Sequence, residues 1–308
     1  MILVEELKKS YGELRAVDGI SFEVLEGELF GFLGPNGAGK TTTLSMISGL
    51  LKPDGGRVMI NDIDVWQTPK AAKRILGLVP QDVALYEELT ARENLRFWGG
   101  LYHLSSSELK SNIEKWLDRV GLTDRANDAV SKYSGGMKRR LNLAAGMIHN
   151  PQIVLLDEPT VGIDPQARNN ILEIIREIAR EGVTILFTTH HLEEAETLCN
   201  RIAIMDHGKI LQTGTVDELA QVVGDGDLVN LHGSFSPAAF KSALTGLSIN
   251  FINIADGSAK FSLAQNGANI SVVIQKLSEA GISIEDLSME KPSLESVFLK
   301  LTGRELRD

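Results

Sequence analysis

Gly34-Pro35-Asn36-Gly37-Ala38-Gly39-Lys40-Thr41 is the stretch on which the reading of this chain turns. It fits G-x-x-x-x-G-K-[ST] at every fixed position. The apolar run 29–33 before it has the length of a strand, and residues 42–50 after it, beginning at Thr42, read as a helix. Glycines let the backbone turn its N–H groups inward onto phosphate oxygens, and a helix N-terminus adds a dipole that favours anions. In such a loop Lys40 reaches the β- and γ-phosphates of a nucleotide and the Thr41 hydroxyl ligates Mg²⁺. The bland alternative is a glycine-rich turn that happens to hold a lysine, and the flanking strand and helix argue against it.

Working outward, Ile153–Asp157 is a second apolar strand, and it ends in two carboxylates, Asp157 and Glu158. Asp157 is placed to hold Mg²⁺, and Glu158 stands where a general base for water is useful. Alone, the pair reads equally as a solvated strand edge. Beyond it Asp164 can cap a helix and Pro165 suits its first turn. Ile171, Leu172, Ile174, Ile175 and Ile178 recur at helical spacing, Gly182 ends the helix, and 183–188 is β-branched strand. This is a βαβ unit, and residues 1 to about 215 alternate in the manner of an α/β domain with parallel strands.

Residues 83 to about 150 depart from that alternation. Segments 87–98 and 107–120 read as helices, the second capped by Ser107 with Ile113, Trp116, Leu117 and Val120 on one face. A helical insert is the simplest account. It includes Tyr133-Ser134-Gly135-Gly136-Met137, a polar turn opening a helix and a second anion-ready terminus. Alone, Ser-Gly-Gly is an ordinary loop.

A boundary is expected near 214–220, followed by Gly-Asp-Gly-Asp at 224–227. Strand-like pieces then fall at 228–231, 249–254 and 259–263, a helix at 268–280, a strand near 282–288 and a last helix at 293–301. This predicts a small α+β domain over 216–308. Its expected role is regulation or dimer stabilisation, with an inert appendage as the equal alternative.

The chain has 308 residues, enough for two domains. Its net charge of −10 argues against a nucleic-acid partner, despite the local cluster Lys138, Arg139 and Arg140. No stretch approaches the ~18–20 consecutive apolar residues of a membrane span. The single cysteine, Cys199, allows no internal disulfide and reads as a buried apolar side chain. With no secretory signal, a reducing cytoplasm is the expected compartment.

The order of these motifs resembles the ATP-binding subunits of ABC transporters over residues 1 to about 215. The resemblance implies a P-loop NTPase fold with a helical subdomain insert, an ATPase activity, and ATP and Mg²⁺ as ligands. Residues 34–41 look like Walker A, and 153–158 like Walker B with Glu158 as the catalytic glutamate. Residues 133–137 look like the ABC signature. Gln81 looks like the Q-loop glutamine that would join Thr41 and Asp157 on Mg²⁺. His190 looks like the switch histidine, though His191 beside it leaves the register open and Thr188-Thr189 favours His190. Residues 161–164 stand at the D-loop, and Tyr11 where an aromatic stacks on adenine. Gln81, His190 and Tyr11 would each, alone, read as surface or packing residues. Two departures stand out: Met137 where the family has glutamine, and Val161 where its D-loop begins with serine.

The resemblance further implies a head-to-tail homodimer around two ATP molecules, with Ser134, Gly135 and Gly136 contacting the nucleotide held by the other copy. The stretch 291–303 is similar to the tail of ATPase subunits serving ABC-2 type exporters. This implies an integral-membrane permease partner and a place on the cytoplasmic face of the membrane. Leu85, Tyr86 and Trp98 are the candidate groove for a permease helix, with insert core as the alternative. Two other classes compete: a soluble ABC-type ATPase acting on ribosomes or DNA, and a regulatory protein that holds ATP without turnover. A single set of motifs without a charged linker weighs against the first, and Glu158 with His190 against the second.

Overall fold

The computed structural model describes all residues except 224–227, 264–268, 292 and 304–308. The Gly-Asp-Gly-Asp run, the expected helix start at 268 and Pro292 therefore lie outside the described residues. The chain divides into two compact units, Met1–Ile210 and Leu211–Asp308.

The first unit opens with two long strands, β1 (Ile2–Tyr11) and β2 (Leu14–Val24), and the short core strand β3 (Leu29–Leu33). After the glycine loop come α1 (Lys40–Ile47), β4 (Gly55–Ile60), β5 (Ile63–Asp64), α2 (Pro69–Ile75) and β6 (Leu76–Val79). Three helices follow: α3 (Ala91–Gly100), α4 (Ser106–Arg119) and α5 (Gly135–Met147). The chain then returns through β7 (Ile153–Asp157), α6 (Pro165–Arg180), β8 (Thr184–Thr189), α7 (Leu192–Leu198) and β9 (Arg201–Asp206), and β10 (Lys209–Gly214) begins in this unit and ends in the next.

These strands form two sheets, one with the parallel strands that the alternation suggests and one antiparallel. β2-β1-β4-β5 is antiparallel. β10-β9-β3-β8-β7-β6 carries the site, and its pairs from β9 through β6 are parallel. The sheets meet through aromatic packing: the Phe22 ring lies 4.8 Å from Phe32 and 5.8 Å from Phe30. Both strands β3 and β7 are buried at every position, as parallel strands covered on two faces must be. The carboxyl ends of β3, β7 and β8 therefore deliver the glycine loop, Asp157 and Thr189 to one edge, where open α/β sheets bind ligands.

The helical insert is present, with corrected boundaries. α3 starts at Ala91, because Thr90 and Glu93 form a reciprocal capping box. α4 is capped by Ser105, not Ser107, through the same device with Glu108. Trp116, Leu117, Ile113 and Val120 are buried as the spacing requires.

The second unit contains α8 (Val216–Val223), β11 (Leu228–Ser234), α9 (Pro237–Ala243), β12 (Ile249–Ala255), β13 (Ser258–Leu263), α10 (Ile270–Glu279), β14 (Ser283–Glu290) and α11 (Leu294–Thr302). Its sheet runs β12-β13-β11-β14 with antiparallel pairing. Val229, Phe240, Phe261, Val273 and Leu277 fill its core. Among the described residues no helix is long and apolar enough to cross a membrane.

Candidate active site

The glycine loop owes its shape to two tight approaches. A Cβ on Gly34 would stand 2.2 Å from the Met205 carbonyl oxygen, and one on Gly39 2.3 Å from that of Ala16. Gly39 also holds φ +106°, and Gly37 φ +81°, conformations that side chains resist. Within this loop Ala38 is buried and its N–H donates to the Pro35 carbonyl (3.1 Å). Asn36 is exposed, and Thr42 sits in the first turn of α1.

Lys40 heads α1 and is 4% exposed. Its ammonium donates to the carbonyls of Gly34 (2.6 Å) and Pro35 (3.1 Å) and pairs with Glu158 Oε1 at 3.0 Å. The other Glu158 oxygen, Oε2, lies 3.0 Å from His190 Nδ1. Lysine, carboxylate and imidazole thus form one chain, and His190 rather than His191 is the histidine in it. Glu158 is held by its own backbone: φ is +43°, and its N–H donates to Thr188 Oγ1 (2.9 Å). A non-glycine residue pays on the order of 1 kcal/mol or more for that conformation, which points to a constrained position.

Asp157 accepts from the hydroxyls of Thr188 (2.8 Å) and Thr41 (3.2 Å). Burial raises its pKa above the usual carboxylate range, opposed by those two hydrogen bonds, and Glu158 beside it adds to the rise. A buried carboxylate and a hydroxyl at this separation are both hard oxygen donors. They fit a hard divalent cation.

A cavity of about 700 Å³ opens over this array, lined by Tyr11, Asn36, Gly37, Gly39, Lys40, Thr41, Thr42, Gln81 and Glu158. Tyr11 is half-exposed at its rim, with the Lys9 ammonium 6.0 Å from its ring centroid. Leu14, Arg15, Ala16 and His207 also line it. The motif reading did not name these four, since β2 and the β9–β10 turn carry no motif.

Ser134, Gly135 and Gly136 lie outside that cavity. Ser134 caps α5, accepting from Met137 N (3.3 Å), and Ser134 and Gly135 are exposed. Gly136 is buried, and a Cβ there would stand 2.6 Å from that of Ala167. A second, mostly apolar cleft of about 460 Å³ is lined by Leu50, Leu78, Pro80, Ala84, Trp98 and Leu101, among others. Of the candidate groove residues only Trp98 lines it. Leu85 does not, and Tyr86 is exposed with its ring edge-on to Phe97.

Residues 17–161 match the ABC transporter family. The chain is 43% identical over its whole length to the linearmycin resistance ATP-binding protein of Bacillus subtilis (strain 168), and it covers all of that protein. It is 37% identical to the Nod factor export ATP-binding protein I of Paraburkholderia xenovorans (strain LB400), over 99% of this chain and 97% of that one. Among solved structures it is similar to an ATP-binding subunit of an ABC transporter. That match has 32% identity and a TM-score of 0.67, over 73% of this chain and 93% of that one. A dimeric ATP-binding cassette in a post-hydrolysis state, bound to ADP and Pi, matches at 27% identity and a TM-score of 0.65. That likeness covers 70% of this chain and 98% of the other.

Proposed function

The chain belongs to the ATP-binding subunits of ABC transporters, and on that premise we propose that it hydrolyses ATP at the Lys40–Glu158–His190 array to drive an ABC-2 type exporter. The observation that carries the reading is that array itself: a buried ammonium, a carboxylate and an imidazole in series at 3.0 Å steps beside a phosphate-shaped loop. The triphosphate enters along residues 34–41, where backbone N–H groups and the Lys40 ammonium meet its oxygens. Lys40 exchanges Glu158 for phosphate, which frees Glu158 to take a proton from the attacking water. The water oxygen bonds to the γ-phosphorus, the bond to the β-phosphate oxygen breaks, and ADP and phosphate leave. His190 orients Glu158 and contacts the γ-phosphate. Tyr11 stacks on the adenine.

Thr41, Asp157 and Gln81 would hold Mg²⁺, which, when bound, offsets the charge of the β- and γ-phosphates. Two copies close head-to-tail, each offering Ser134, Gly135 and Gly136 to the nucleotide of the other. Loss of the γ-phosphate removes donors' partners on both sides, and the dimer opens.

The pathway belongs to an integral-membrane permease, which seats this chain on the cytoplasmic face of the membrane. Export is the direction supported by the drug-resistance and Nod-factor-export names of the relatives. Residues 1 to about 215 form the ATPase domain, and 216–308 an accessory domain. The test is a pull-down from native membranes with tagged Glu158→Gln, ATP and Mg²⁺. Recovery of a chain with several membrane spans supports the reading. Recovery of ribosomes, DNA or no partner refutes the transporter role.

A further inference from the structure

Between β6 and α3 the chain carries Gln81 through a segment with no secondary structure of its own, and α5 holds that segment by its backbone. Arg139 donates from Nη1 to the Gln81 carbonyl. Asn142, 2% exposed, donates from Nδ2 to the Pro80 carbonyl (3.2 Å) and accepts the Ala84 N–H on Oδ1 (3.1 Å). The two residues are three apart on α5 and so share one face. Farther along, buried Asn94 bonds both the N–H and the carbonyl of Tyr86, at 2.8 and 2.9 Å, and the Thr90 carbonyl at 3.0 Å. The segment is therefore fastened to the helical insert on both sides of Gln81.

The same helix is anchored at its far end. A Cβ on Gly77 would stand 2.5 Å from the Gly146 carbonyl oxygen, and one on Gly146 2.6 Å from Val79 Cγ2. Here α5 touches β6 almost backbone to backbone. At its near end Ser134 is the cap, five residues or roughly 7.5 Å of helix from Arg139. Asp82 and Glu158 are the acidic groups whose fields reach the half-buried Arg139 guanidinium.

We propose that Arg139 is a positioning residue for Gln81. Together with Asn142 it makes α5 a single lever that sets Gln81 in its own chain's pocket and Ser134–Gly135–Gly136 on the opposing copy's nucleotide. This rests on the dimer reading above. Spatial continuity alone does not establish coupling between two sites, so the test sets ATP-driven dimerisation against ADP affinity, which a general structural defect would also lower.

In a Glu158→Gln background with ATP and Mg²⁺, dimerisation of the full chain is followed by analytical ultracentrifugation. ADP affinity is measured in parallel with a fluorescent ADP analogue. Adding Arg139→Met should raise the ATP concentration for half-dimerisation about ten-fold, the scale of one charge-assisted hydrogen bond, and leave ADP affinity within about two-fold. Arg139→Lys, which keeps a charge and a donor, should recover most of the loss. Asn142→Asp keeps the acceptor for Ala84 and loses the donor to Pro80, so it should shift dimerisation in the same direction. Dimerisation of the Arg139→Met chain at the parent's ATP concentration overturns the proposal. So does a parallel fall in ADP affinity, which would mark a merely structural role. A Glu158→Gln parent that never dimerises overturns the dimer reading itself, and this inference with it.

Discussion

Replacing His149 with phenylalanine should remove a pH dependence from the stability of the first unit. The imidazole stacks flat on Tyr102, with centroids 3.5 Å apart and planes 6° from parallel. Its Nε2 lies 3.2 Å from the Leu76 carbonyl, which can only accept, so Nε2 carries the proton and Nδ1 is the bare nitrogen. Nδ1 is buried and has no hydrogen-bond partner among the described residues. A second proton there would place a cation in apolar surroundings, and burial pushes the pKa from 6.5 down to about 4.

The folded state thus resists a proton that the unfolded chain accepts. Stability is fully present above the unfolded pKa of 6.5 and is lost as pH falls towards about 4. At about 1.4 kcal/mol per unit, the loss is about 2 kcal/mol by pH ~5 and about 3 in all. Phenylalanine keeps the stack and forfeits the bond to Leu76, about 1 kcal/mol at neutral pH. The variant should therefore be less stable than the parent at pH ~7.5 and more stable at pH ~5, the curves crossing near pH ~6. Urea unfolding followed by tryptophan fluorescence reads this cleanly. The three tryptophans, Trp66, Trp98 and Trp116, all lie in the first unit. Parallel curves with no crossing between pH ~7.5 and ~5 would refute the reasoning.

Other expectations are independent of that one. Gly39→Ala should weaken binding of a fluorescent ATP analogue at least about ten-fold, since its Cβ meets a backbone oxygen that cannot give way. Gly37→Ala, with positive φ but nothing within 4 Å of the added Cβ, should cost only about 1 kcal/mol of stability in a denaturant titration and much less affinity. Tyr86→Ala, at a position 45% exposed, should leave stability within about 0.5 kcal/mol and ATP turnover intact while abolishing transport in vesicles. Normal transport would sink the proposed docking role. Cys199 is buried, and burial raises its thiol pKa far above the usual range, so maleimide labelling should be at least about a hundred-fold slower in buffer than in urea.

What the sequence discloses follows from how local each signal is. The β7–α6–β8 unit was legible because its punctuation is local. Asp164 accepts the Ala167 N–H (2.9 Å), Pro165 opens the helix, and Gly182 takes φ +87° after it. The antiparallel sheet was not legible, and β1 shows why. Its buried residues are Ile2, Val4 and Leu7, a spacing that breaks the period of two. The break is a register shift between Val4 and Leu7, with Glu6 at φ +47°. α9 escaped notice because seven residues are too few to show a helical period. At the site, motif residues could be named singly, but their pairings join distant parts of the chain. Nothing in local spacing announces that Arg139 holds the carbonyl of Gln81, or that Lys40 and Glu158 meet.

The two departures from the family pattern become less costly once the source of the donors is considered. The first-turn N–H groups of a helix have no partner within it, so an N-terminus binds anions through its backbone and dipole whatever side chain follows. In α5 the Met137 N–H is already committed to Ser134 Oγ (3.3 Å). The donors left for a nucleotide are those of Gly135 and Gly136, neither of which depends on residue 137. Tyr133 is buried with its hydroxyl donating to the Arg125 carbonyl (2.7 Å), so it secures the turn from behind. Val161 keeps its backbone N–H on the Glu158 carbonyl (3.2 Å), which ties this turn to Glu158, the proposed general base, without any side-chain hydroxyl. On the proposed reading the substitutions therefore remove side-chain contacts and leave the backbone donors in place. Turnover should be more sensitive to Gly135 and Gly136 than to residue 137.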